Sequence, residues 1–203
     1  MNISTRLRIP GPALSLMAFC IALNVSMGQI ASLLKIPLYL DMVGTILCAV
    51  LAGPAPAMIT AITANILAAP LGSPSMIFFI PVGITVALVS AAWARVGAFR
   101  RWWTAIASGI VLGVISATVS APIAAFVFGG VTFAGTDLLV AVFRGAGFPL
   151  LQSVWLQGLT SDTIDKAISY SLVSSVIAGL PSRLLLRFRS RKDRPDVSME
   201  SGA

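Results

Sequence analysis

Apolar runs of fourteen to twenty-seven residues alternate along this chain with short breaks rich in proline, glycine and charge, the pattern of helices that pass through hydrocarbon. The first run spans about Ala13 to Leu34 and stops at Lys35-Ile36-Pro37, because proline disfavours helical geometry in the residue before it. A short second run, from about Leu38, ends at Gly53-Pro54, and a third covers about Pro56 to Ala69. Pro70 to Pro74 forms a turn. The fourth run, about Met76 to Ala94, carries Pro81 as an expected kink. After the loop Arg95–Arg101, the fifth extends from Trp102 to Phe128 and ends at Gly129-Gly130. Residues 131–160 are less apolar, with Asp137, Arg144, Gln152, Trp155 and Gln157 among glycines and a proline. They read as a long connection whose helical pieces lie against the bundle. The sixth run starts near Ser161 and reaches about Leu186. The expected fold is therefore an all-α integral membrane protein of six transmembrane helices. Residues 1–188 form one domain, and 189–203 form a basic, disordered cytoplasmic tail.

Composition strengthens the membrane assignment. Of 203 residues, 57% are hydrophobic and 10% charged, and mean hydropathy is +0.95. Soluble domains carry roughly a quarter charged residues and need them to cover their surface. The net charge of +7 does not point to nucleic acid, because the basic residues flank the apolar runs instead of forming one soluble face. With six crossings, eleven of the 14 Lys and Arg residues fall on the side of the termini and the Arg95–Arg101 loop. Lys35, Arg144 and Lys166 fall on the other. This places both termini in the cytoplasm. The first run is longer than the apolar core of a signal peptide and lacks a clear cleavage site, so it is expected to stay as a span.

Candidate chemistry is confined to polar groups in or beside the runs. The chain has no histidine, and Cys20 and Cys48 lie singly in apolar surroundings, which leaves no metal or haem spacing and implies no cofactor. A Ser–His or Cys–His pair is impossible, and no glycine-rich loop precedes a Lys-Ser/Thr pair, so the chain reads as a non-enzyme without its own ATP site. Asp41 can serve as an acid at a helix start, as a partner for Lys35, or as a solute contact. Asp162, Asp165 and Lys166 cluster near the expected start of the last span. There Asp162 and Lys166 have ion-pair spacing and Ser161-Asp162 has capping character. Asn24, Gln29 and Asn65 suit hydrogen bonds between helices or contact with a polar solute. Tyr39, Phe78, Phe79 and Trp155 suit an interfacial belt. Small residues recur every four positions, as Ala18, Ala22 and Ser26 in the first run and as Gly109, Gly113, Ala117 and Ala121 in the fifth. Such stripes let helices approach closely, within the chain or between proteins.

Four segments carry a family likeness: Ala18-Phe-Cys-Ile-Ala22-Leu-Asn-Val-Ser26; Ile36-Pro-Leu-Tyr-Leu-Asp41-Met-Val-Gly44-Thr, with Leu51-Ala-Gly53-Pro54; Leu71-Gly-Ser-Pro74 before Phe78-Phe-Ile-Pro81-Val-Gly83; and Asp165-Lys166 opening a helix that ends Leu180-Pro181-Ser-Arg183. In this order the chain, through about Phe188, resembles the substrate-binding S components of energy-coupling factor (ECF) transporters, the vitamin and micronutrient importers of bacterial and archaeal plasma membranes. The resemblance implies a solute pocket at the outer side, closed by the loops after spans 1, 3 and 5. It also implies docking through a small-residue face onto a transmembrane coupling protein with two ATPase subunits. The docking face would be Ala18, Ala22 and Ser26, with Ser26 where the family pattern has alanine. The solute contacts would come from Asn24, Tyr39, Asp41, Asn65, Ser73, Phe78, Trp155, Asp162, Asp165 and Lys166. A stand-alone permease or channel, working as a homo-oligomer, is the alternative.

Overall fold

The computed structural model describes residues 11–132 and 134–181; the expected end of the last span at Leu186, the basic tail and Arg6 and Arg8 lie outside them. The described chain is built of helices. These are α1 (Gly11–Leu33), α2 (Val43–Ala52), α3 (Pro54–Ala68), α4 (Ile80–Arg95), α5 (Trp102–Phe128), α6 (Asp137–Gly145) and α7 (Leu150–Gly179). Two short 3-10 turns, Ala69–Leu71 and Pro74–Phe79, join α3 to α4. Four helical stretches are long and apolar enough to cross a membrane: Gly11–Leu33, Pro54–Leu71, Pro74–Arg95 and Trp102–Phe128. They carry large exposed apolar side chains such as Leu14, Phe19, Leu67, Leu88 and Phe126, which is how a bundle meets lipid.

Glycine and proline set several boundaries. Gly53, at φ 88°, turns the chain between α2 and α3, and Pro54 then occupies the first turn of α3, where a missing N–H costs nothing. Gly129, at φ 60°, ends α5 in the left-handed conformation that suits a residue without Cβ.

Two expectations about the chain path are corrected. The second run becomes helical only at Val43. At ten residues α2 is about 15 Å long, half of a bilayer core. It is buried almost throughout and forms the middle of the apolar core with Cys20 and Cys48. The last helix begins at Leu150 instead of Ser161, so residues 150–160 belong to it and not to a connection. Ser161 and Asp162 are therefore mid-helix residues and cap nothing.

The reason for the early start is the composition of the buried face of α7. It reads Ser153, Gln157, Ser161, Asp162, Asp165, Lys166, Ser169 and Ser174, a polar stripe at helical spacing turned inward. Polar residues lower the apparent hydropathy of the segment, yet they face protein and not lipid.

The small-residue stripe of α5 brings its backbone directly against α7. A Cβ on Gly113 would stand 2.3 Å from Thr163 Cα, and one on Gly109 would stand 2.6 Å from the Lys166 carbonyl oxygen. Ala117 completes the contact against Gly158. The stripe of α1 behaves differently. Ala18, Ala22 and Ser26 are all exposed.

Replacement of Gly113 by alanine should cost about 1–3 kcal/mol through overpacking. Gly145, where a Cβ meets nothing within 4 Å, should accept alanine within about 0.5 kcal/mol. Thermal unfolding of the two variants in detergent checks the contrast; equal midpoints would mean that α5 and α7 are not held backbone to backbone.

Candidate functional site

Near the Arg95–Arg101 end of the bundle Tyr170 is fully buried, hydrogen-bonded to Ser90 Oγ (2.8 Å) and stacked on Phe99 with ring centroids 4.7 Å apart. At the opposite end three loops converge over a cavity of about 90 Å3, measured as the space open to the centre of a water-sized sphere. These are residues 34–42 after α1, residues 69–79 after α3, and residues 129–132 and 134–136 after α5.

The loops are tied to one another and to the helices. Tyr39 shares a hydrogen bond with Thr136 Oγ1 (3.1 Å) and accepts one from Gln157 Nε2 (3.3 Å). Gln29 Nε2 donates to Ser73 Oγ (3.4 Å), and Ser75 Oγ donates to the Thr132 carbonyl (3.3 Å). Gly135 lies against the carbonyls of Lys35 and Ile36, so close that a Cβ there would come within 2.6 Å of both oxygens.

Asn24 fixes the first helix pair. Its Oδ1 accepts from the Gly44 N–H (2.7 Å) and its Nδ2 donates to Thr45 Oγ1 (2.8 Å), satisfying an N-terminal donor of α2 that the helix itself leaves open. Gly44 has to be glycine, because a Cβ would stand 2.1 Å from the Cys20 carbonyl oxygen.

Below the loops lies a buried charge cluster. Lys166 Nζ donates to Asp165 Oδ2, with the two residues 2% and 0% exposed. The other Asp165 oxygen accepts the Leu40 N–H at 2.7 Å. Leu40 has φ 53°, a conformation that a branched side chain avoids and that surrounding structure must hold. Asp165 is therefore the anchor of the first loop. The expected i,i+4 pair of Asp162 with Lys166 is replaced by this pair of sequence neighbours. Asp162 instead accepts a long hydrogen bond from Ser120 Oγ (3.4 Å). Asp41 is half-buried just before α2 and makes no ion pair with Lys35, which is exposed.

Seven of the ten residues expected to touch solute line the cavity: Asn24, Tyr39, Asp41, Asn65, Ser73, Asp162 and Lys166. Three do not. Asp165 lies behind Lys166, Phe78 turns outward against Phe128, and Trp155 donates to Thr118 Oγ1 on the outer flank of α5 and α7. The neighbour Phe79 supplies the aromatic wall. Sequence reading did not single out Ser116 and Ser120. They lie one helical turn apart in an apolar run, and only their distance from the α5 small-residue stripe by one position hints at a second, polar edge. Two lining groups are buried without a hydrogen-bond partner among the described residues, Asn65 Nδ2 and Ser116 Oγ. Buried polar atoms without partners are uncommon, and in a cavity they are positions for water or ligand.

The chain matches no protein-family model, no curated protein and no solved structure.

Asp165→Ala should cost about 3–5 kcal/mol, because it strands a buried ammonium and releases the Leu40 N–H. The yield of folded protein and protease sensitivity at residues 34–42 measure this.

Proposed function

We propose that this protein is the solute-binding subunit of an ECF-type importer, taking up a vitamin or related micronutrient. The observation that carries the reading is the cavity itself. It lies at one end of a helical bundle, under the three loops that follow α1, α3 and α5, and it presents buried polar atoms with no partner. A site that must close around a small solute and exclude water has this anatomy: concave, mostly apolar, with few convergent polar groups. The resemblance of the chain to ECF S components supports the same conclusion.

The topology proposed with it has six crossings, formed by α1, α2, α3, α4, α5 and α7, with both termini cytoplasmic in a bacterial or archaeal plasma membrane. The half-length α2 is completed by the extended residues 38–42, and the polar stripe of α7 is shielded by α5. The loops over the cavity then face outward, and the basic Arg95–Arg101 loop faces inward as the charge rule requires. The packed layer of Tyr170, Phe99 and Ser90 below the cavity favours capture over an open channel. Delivery inward is assigned to a coupling protein with two ATPase subunits, docked on the exposed face Ala18, Ala22 and Ser26. Exposure of a small-residue stripe in one helix, when the matching stripe of α5 is consumed inside the bundle, supports this division of roles.

Extraction from native membranes should recover a coupling protein and ATPases with the chain. Ala22→Leu should reduce that recovery at least tenfold while solute affinity stays within about twofold. Protein reconstituted alone that concentrates solute against a gradient would overturn the proposal in favour of a stand-alone permease.

A further inference from the structure

Resting on the capture role just proposed, the geometry points to a small organic cation as the solute, its charge set between Asp41 and Asp162. The cavity region holds three carboxylates, Asp41, Asp162 and Asp165, against a single ammonium, Lys166. The ammonium donates to Asp165, whose other oxygen is taken by the Leu40 N–H, and reaches Asp41 and Asp162 only from beyond ion-pair distance. Asp41 and Asp162 both line the cavity, and among the described residues neither lies within ion-pair distance of a Lys or Arg nitrogen. Asp162 is buried, and its one hydrogen bond from a side chain is the long one from Ser120. An acidic group held inside a membrane bundle calls for a partner of opposite charge.

Two independent features show that the space around these carboxylates is built for a ligand. Asn65, 3% exposed, and Ser116, 1% exposed, line the same cavity, with Nδ2 and Oγ lacking any hydrogen-bond partner among the described residues. The cavity is several times the space that a single water needs, room for a small organic molecule. Phe79 and Tyr39 line it too, and aromatic walls favour a cationic nitrogen. A metal ion is a poor fit, since no group of three or more His, Cys, Asp or Glu among the described residues could hold one. The recognised solute is therefore an amine or a quaternary nitrogen heterocycle with one or two further polar groups, which Asn65 and Ser116 would meet.

The test uses purified full-length protein and three probes of one ring shape, the 1-methylnicotinamide cation, neutral nicotinamide and the nicotinate anion. Native mass spectrometry of the freshly extracted protein identifies any retained molecule. Tighter binding of the cation than of the other two, weakened about tenfold or more in both Asp162→Asn and Asp41→Asn, is the expected result. Asp41 lies in a loop, so its variant remains informative should the α7 variant fail to fold. A retained cation supports the proposal even where none of the probes binds. Preference for the neutral or anionic probe, or a retained neutral or anionic molecule, overturns the charge assignment and leaves solute capture standing. No binding of any probe and nothing retained would bring down the capture role as well.

Discussion

The ion pair of Lys166 with Asp165 is the constraint on which the site depends. Taking two charges out of water costs several kcal/mol for each, so a buried pair persists only where its remaining hydrogen-bonding capacity is also used. Here Asp165 spends its second oxygen on the Leu40 N–H, which links the middle of α7 to the loop before α2. That link holds Leu40 in a left-handed conformation and so sets where Tyr39 and Asp41 sit. A charge cluster that would be a liability in a membrane thus becomes the fixed point from which the roof of the cavity is hung.

Close helix packing makes that burial possible. Gly109 and Gly113 let the backbone of α5 lie directly on α7 at Lys166 and Thr163, closing that side of the charge cluster. The resulting bundle inverts the soluble pattern. Its lipid-facing surface is apolar, and the longest polar stripe, on α7, runs down the inside. Beside that rigid pair, the three loops at the open end are held by Tyr39 on Thr136, Ser75 on the Thr132 carbonyl and the close approach of Gly135 to the carbonyls of Lys35 and Ile36.

The exposed stripe on α1 gains its meaning from the same comparison. Small residues at four-residue spacing are common in membrane helices, and only their surroundings separate an internal seam from an external one. On α5 the seam is occupied by α7. On α1 it is open, beside large apolar neighbours such as Leu14 and Phe19.

Sequence alone determined that the chain is helical and rich in membrane-length apolar runs. Its periodicity, its scarcity of charge and its proline and glycine breaks are local properties that need no partner to be read. Most of the cavity-lining polar residues were legible for a related reason: a polar group in an apolar run is conspicuous whatever it touches. Tertiary structure alone decided what each one does. Asp165 and Asp162 are three residues apart on one helix, yet the first holds a loop and the second faces the cavity. The start of α7 escaped notice because hydropathy averages around a helix and cannot see that Ser153 and Gln157 point inward. Ser116 and Ser120 were invisible because a hydroxyl in an apolar helical run can bond its own helix, and only the packing of α5 on α7 shows that both meet the cavity.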